Sequence, residues 1–273
     1  MKNKPKRIFT FWEPSGNLPA YLELCMETWK KYLPDYEIVV LDYKSLDKWL
    51  GKKYYLYDLY LSYTLPQQTD AIRAAILYEH GGMWLDCDTI ITSDKIRTIL
   101  EKDSETIFVG GHIAFIYSIK RAHVIKKWCK IIKRNLILAF LFKYFLFFRK
   151  IITFVAPVTA KFIKKSHWGF LGNLIVNPII SKAKKSEYFA LDRKEFKIFP
   201  EICWRDENNL KSSSSENYMK FYFEESLAEY ALENNGGMIC LHNSWTPQIY
   251  KKMSREEFLK TECTLSSILK KVL

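Results

Sequence analysis

Acidic residues are missing from the middle of this chain. Between Thr106 and Ser186 there is no Asp or Glu, yet sixteen Lys and Arg fall there. The formal net charge of +12 therefore belongs to that segment, and the rest of the chain is slightly acidic. A segment with one sign of charge points to a polyanionic neighbour, either anionic lipid or nucleic acid. Paired cysteines are also missing. The six, at 25, 87, 129, 203, 240 and 263, form no C-x-x-C pair. That spacing argues against a zinc site or a disulfide framework and suits a reducing compartment. No apolar run approaches the roughly 20 residues of a spanning helix. Only Ile8 to Trp12 separate the basic Met1–Arg7 stretch from Glu13, too short for a signal-peptide core. The expectation is a cytoplasmic protein. There is no internal repeat, and Ser212–Ser215, the one homopolymeric run, reads as a loop.

The chain is rich in core-forming residues, with 48% hydrophobic and 16% aromatic side chains. Its first ninety residues alternate strand and helix. Arg7–Trp12 reads as a strand, Tyr21–Tyr32 as a helix, and the β-branched run Glu37–Leu41 as a second, parallel strand. Ser45–Leu50 reads as a short helix capped by Ser45. Pro66 suits the first turn of a helix that runs to His80, with Gly81 in the left-handed position beyond it. Met83–Leu85 and Thr89–Ile91 read as strands on either side of Asp86-Cys87-Asp88. This is the pattern of an α/β sheet, whose ligands sit beyond the carboxyl ends of its strands. Further on, Phe108–Ile119 reads as one or two strands broken at Gly110-Gly111. Phe196–Pro200, Phe221–Phe223 and Met238–Leu241 continue the α/β pattern, and Phe258–Leu269 closes with a helix. Between them, residues 126–165 hold apolar blocks (Leu136–Phe142 and Tyr144–Phe148) broken by Lys143, Arg149 and Lys150. A basic amphipathic region lying on a membrane surface is one reading; a buried helical insertion with solvated lysines is the other.

Asp86 and Asp88 are the first candidates for chemistry. In an extended chain they point to one side and Cys87 to the other. Hard carboxylate oxygens at the end of an apolar strand suit Mg²⁺ or Mn²⁺, and those ions suit a diphosphate. On its own, Asp-x-Asp is equally well an exposed strand end with two solvated acids. Asp70 and Arg73 stand three apart on one helical face. They read either as a surface ion pair or, near the glycine turn, as groups that hold sugar hydroxyls and phosphate oxygens on the exposed half of their helix. His242 ends an apolar run and reads as a structural hydrogen-bonding group or a third metal ligand. Trp245 can stack near a leaving diphosphate, and Trp12 reads as a base-stacking group or a core residue.

Together, Asp70-x-x-Arg73 and Tyr78-x-x-Gly81-Gly82-Met83-Trp84-Leu85-Asp86-Cys87-Asp88 resemble the Asp-x-Asp glycosyltransferases of the GT-A fold. That group includes capsular polysaccharide enzymes, initiating mannosyltransferases and clostridial glucosylating toxins. Ile8–Trp12 and His242-x-x-Trp245 add weaker likeness. The resemblance implies one GT-A (Rossmann-like, nucleotide-sugar-binding) α/β domain over 1–273, with a basic helical insertion at 126–165. It implies that Asp70 and Arg73 hold the donor sugar and that Asp86 touches ribose or a metal-bound water. Asp88 and His242 would ligate Mn²⁺ (or Mg²⁺), with Trp12 beside the base and Trp245 near the diphosphate. Transfer would retain anomeric configuration, from a UDP-sugar in preference to GDP-mannose, to a lipid-linked or oligosaccharide acceptor. The insertion implies a peripheral position on the inner face of an anionic membrane. Competing readings are a toxin-like enzyme acting on a protein, a metal-dependent phosphohydrolase, and a nucleic-acid binder. The phosphohydrolase lacks the extra carboxylates its chemistry needs. The aromatics of 140–148 are blocked together and not interleaved singly with basic residues, so nucleic acid is not an expected partner.

Overall fold

The computed structural model describes residues 4–51, 60–109, 112–158, 160–161, 168–191 and 215–273. They are of mixed α/β class and group into two compact units. The expected strand at Phe196–Pro200, the Gly110-Gly111 break and Ser212–Ser214 lie outside the described residues.

Unit 2 comprises Lys6–Asp42, Leu85–Lys102 and Ala190–Leu273. Strands β1 (Arg7–Phe11) and β2 (Glu37–Leu41) pair in parallel, as expected, and α1 (Ala20–Tyr32) connects them. Strand β4 (Thr89–Ile91) pairs antiparallel with β8 (Met238–Cys240). Helix α1 clamps β4 by two side-chain bonds. Trp29 Nε1 donates to the Thr89 carbonyl at 2.6 Å, and the Ile91 N–H donates to Thr28 Oγ1 at 2.9 Å. Both are buried, where a missing partner would cost about 1–3 kcal/mol, so they fix the strand against the helix. The core of this unit joins Tyr21, Leu22 and Cys25 of α1 to Phe221, Phe258, Leu265 and Leu269.

Two expectations about the C-terminal part are corrected. Phe221–Phe223 is not extended but lies in a π-helical turn, Lys220–Glu224, because all three rings turn inward as one knot. The closing helix is two helices, Arg255–Lys260 and Thr264–Val272. Ser254 starts the first with a reciprocal cap: its N–H donates to Glu257 Oε2 at 2.8 Å, and its Oγ accepts from the Glu257 N–H at 3.3 Å.

Unit 1 comprises Tyr43–Trp84 and Asp103–Phe189 with the first few residues of the chain. Helix α2 is Tyr43–Leu50, so it begins before Ser45 and that residue does not cap it. Helix α3 is Leu65–His80. The Thr64 N–H donates to Gln67 Oε1 at 3.2 Å, and Pro66 occupies the first turn, where a missing N–H costs nothing. Strands β3 (Gly82–Leu85), β6 (His112–Ser118) and β5 (Thr106–Val109) lie side by side in that order, and β5 and β6 are antiparallel. Helix α5 (His123–Tyr144) packs on α3 and on α7 (Asn173–Ile180). One face of α5 buries Val124, Trp128, Ile132 and Leu136, and the other exposes Lys126, Lys127, Lys130, Lys133 and Arg134. The basic region therefore begins as a core helix with solvated cations. Only its continuation, α6 (Leu146–Val155), lies mostly in solvent. Among the described residues no helix is long and apolar enough to cross a membrane.

Gly81 ends α3 with φ +66°, and its N–H donates to the Leu77 carbonyl at 2.9 Å. A Cβ there would stand 2.5 Å from the Lys120 backbone nitrogen. With ψ −162° the backbone lies in a region essentially reserved for glycine, which costs an L-residue about 1–3 kcal/mol, and this contact adds to it. Gly81→Ala is expected to lose at least about 2 kcal/mol in equilibrium denaturant unfolding; an unchanged midpoint would show that the turn relaxes.

Candidate functional site

The two acids of the Asp-x-Asp motif sit on a turn, not on an extended segment. The Thr89 N–H donates to the Asp86 carbonyl at 3.0 Å, closing the turn between β3 and β4. This corrects the expected alternation, although its consequence survives: Asp86 and Asp88 are part-exposed and Cys87 is buried. The cause is the sulfur. Cys87 Sγ lies 3.0 Å from Thr10 Oγ1 and 3.7 Å from the Phe11 carbonyl, so the middle of the turn is pinned to the end of β1. Burial pushes the Cys87 thiol up to about 12, so it serves as a neutral anchor and not as a nucleophile.

Asp88 is tied from the other side of unit 2. Its carbonyl accepts the Leu241 N–H at 2.9 Å, and its Oδ2 accepts the Asn243 N–H at 2.7 Å. Tyr21 in turn donates its hydroxyl to Asn243 Oδ1. Burial first, and then the Asp88 charge, raise the Tyr21 phenol above its ordinary value, which keeps that donor protonated. Burial holds Lys251 below its ordinary value while Asp88 opposes the shift, so this ammonium lies within electrostatic reach of the carboxylate. The loop after β8 thus brings an amide to Asp88, and the helix Gln248–Lys252 that follows brings a lysine charge within reach. His242 and Trp245 pack at 4.2 Å between centroids, and Tyr218 meets each edge-on. The His242 N–H donates to the Tyr218 hydroxyl at 3.2 Å. Trp12 follows β1 half-buried, its Nε1 donating to the Asn17 carbonyl at 3.1 Å. It packs against the same apolar cluster as Trp245.

A divalent cation suits part of this arrangement. Mg²⁺ or Mn²⁺ is commonly held by one or two carboxylates together with substrate phosphates, and the turn offers two. Among the described residues no group of three or more His, Cys, Asp and Glu side chains is gathered as a cation site. The donor set therefore fits an ion that arrives with a diphosphate better than one held by protein alone.

Asp70 and Arg73 lie in unit 1 and are buried, at 7% and 4% exposure, which corrects the expectation of an exposed helix half. Helix α3 is buried along Gln67–Leu77 except at Thr69, and its alanines at 71, 74 and 75 allow close approach. The two charges stand 3.7 Å apart. Arg73 Nη1 donates to the Ile113 carbonyl at 2.6 Å, and its guanidinium lies 5.1 Å from the centre of the Trp84 ring. Trp128 Nε1 donates to the Leu171 carbonyl at 2.7 Å, next to Gly172. Asp70 Oδ2 stands only 2.1 Å from where a Cβ on the next residue, Gly172, would lie, so only glycine admits the carboxylate. Gly172, Asn243 and Lys251 were not marked by sequence reasoning. The glycine between Leu171 and Asn173 carried a faint signal of close backbone approach, and Asn243 adjoins His242; Lys251 carried none.

A family described as "Capsular polysaccharide synthesis protein" matches residues 1–150. Among solved structures, one described as "PaToxG Glycosyltransferase" is 16% identical, covers 67% of this chain and 82% of its own, and gives a TM-score of 0.36. A second, described as a glycosyltransferase involved in the glycosylation of the major capsid of PBCV-1, is 11% identical, covers 97% and 98%, and gives 0.33. No curated protein matches the chain.

Removing one partner of a buried ion pair strands the other charge, at a cost of about 3–5 kcal/mol. Arg73→Ala is expected to lose that much in denaturant unfolding. Asp70→Asn combined with Arg73→Met should recover part of it; equal losses in both would place the cost in packing and not in charge.

Proposed function

The chain belongs to the capsular polysaccharide synthesis family, and from that premise we propose that it is a glycosyltransferase, specifically a metal-dependent, retaining hexosyltransferase. Its donor is a nucleotide-sugar, for which we propose UDP as the carrier. Its acceptor is a glycan, for which we propose a lipid-linked form. The observation that carries this reading is the acidic turn: two part-exposed carboxylates displayed over a buried, neutral Cys87.

In the proposed roles, Asp88 and Asp86 face the metal–diphosphate; His242, which is not gathered with them as a cation site among the described residues, is proposed as a ligand only once ion and diphosphate are in place. Trp12 flanks the base and Trp245 the diphosphate. Asp70 and Arg73, buried and paired inside unit 1, are assigned no contact with the donor. A divalent cation, when bound, stabilises charge on the departing diphosphate. Lys251 adds a second positive charge near Asp88. The bond between the anomeric carbon and the diphosphate oxygen breaks through an oxocarbenium-like state. The acceptor hydroxyl bonds to that carbon from the same face, and its proton passes to an oxygen of the leaving nucleoside diphosphate. The lipid-linked acceptor places the enzyme in the cytoplasm, peripheral on the inner face of the membrane.

The test is calorimetric titration of UDP, with GDP as comparator, with and without Mn²⁺, on wild type and Asp88→Ala. The expected result is Mn²⁺-dependent binding of UDP, at least about tenfold weaker in the variant, equivalent to about 1.4 kcal/mol. Equal binding without the metal, or in the variant, would contradict the assigned role of the turn.

A further inference from the structure

Helix α6 carries its apolar residues on the wrong side for a soluble fold. Taking about 100° per residue, Phe147, Phe148, Ile151, Phe154 and Val155 fall on one broad face. That face is in solvent, with Phe147 69%, Phe154 87% and Val155 67% exposed. Only Ile152, at the edge of this arc, turns inward, where it meets Phe142 and Ala160. Leu146, on the opposite side of the helix from Phe148, is 79% exposed as well. Beside the helix opens a groove of about 670 Å³ lined by Leu146, Arg149, Lys150, Thr153 and Phe154, apolar walls with two cations. A contiguous apolar surface ringed by charge marks an interaction site, because water penalises it in the free protein.

We propose that the exposed face of α6 is a docking surface for an anionic lipid bilayer, with Phe147, Phe154 and Val155 entering the acyl boundary and Lys143, Arg149 and Lys150 meeting lipid phosphates. This deepens the peripheral-membrane part of the reading above and rests on it, but not on the donor chemistry. Charge selects the occupant. The helix lies inside the stretch without a single Asp or Glu, and the exposed face of α5 adds Lys126, Lys127, Lys130, Lys133 and Arg134. A second copy of this chain seated on the same face would bring like charges together with no carboxylate between them, whereas an anionic headgroup layer neutralises them. The ten residues of α6 reach ~15 Å, half of what crossing a bilayer requires, so the helix lies along the interface and does not span.

The test is flotation of the full chain with vesicles of phosphatidylglycerol and phosphatidylethanolamine, against vesicles of phosphatidylcholine alone. The variants are Phe147→Ser with Phe154→Ser, and Lys150→Glu, with UDP binding and sedimentation measured on each. Wild type should float with the anionic vesicles, less so at high salt, and not with neutral ones. The double variant should bind at least about tenfold more weakly, and Lys150→Glu should weaken binding while retaining UDP affinity. Equal flotation of the double variant would overturn the proposal, as would absence of wild-type flotation in protein that still binds UDP. A wild-type dimer abolished by the double variant, with no vesicle binding, would assign the face to a second copy instead. Intact flotation in protein that binds no nucleotide would support the docking surface and count against the donor reading alone.

Discussion

The candidate chemistry depends on one buried sulfur. Cys87 sits beneath the β3–β4 turn with Thr10 Oγ1 at 3.0 Å and the Phe11 carbonyl beyond it. The turn cannot rotate without exposing that thiol and breaking its contacts with β1. With the middle residue fixed inward, its neighbours Asp86 and Asp88 have no direction left but outward. The Asn243 N–H then fixes one oxygen of Asp88, and Tyr21 fixes Asn243. In the proposed reading, the two outward carboxylates await a cation that arrives with its diphosphate.

Much of this was legible in the sequence because it is local. The β1–α1–β2 succession, the Pro66 start and Gly81 stop of α3, and β3 and β4 all follow from periodicity and from the punctuation of Pro and Gly. The outward Asp86 and Asp88 and inward Cys87 were also legible, but by an argument from extended alternation that the structure replaces with a turn. What was not legible is tertiary. Asp70 and Arg73 show i, i+3 spacing on any reading. Their burial depends on Trp84 just beyond the helix and on Ile113 and Gly172 far along the chain. Phe221–Phe223 reads as a strand by composition, and packing against Tyr218 and Tyr250 turns it into a tight helical turn.

The basic segment shows the same division. Its charge was plain from composition, but its two halves differ in ways composition cannot separate. Helix α5 puts its apolar face into a core and its lysines into water, the ordinary arrangement. Helix α6 has so little core beneath it, essentially Ile152, that its aromatic residues face outward. The neighbour that charge alone left open between lipid and nucleic acid is narrowed by those outward rings. A bilayer offers a place for a whole apolar face, whereas a nucleic acid stacks rings singly between its bases.

The central claim is that the Asp86–Asp88 turn meets a metal-bound diphosphate. Its most direct test is anomalous diffraction at the manganese edge from crystals grown with Mn²⁺ and UDP. The account predicts one strong peak between the Asp88 carboxylate and the UDP phosphates. Manganese bound away from this turn, or UDP seated elsewhere in the chain, would contradict it.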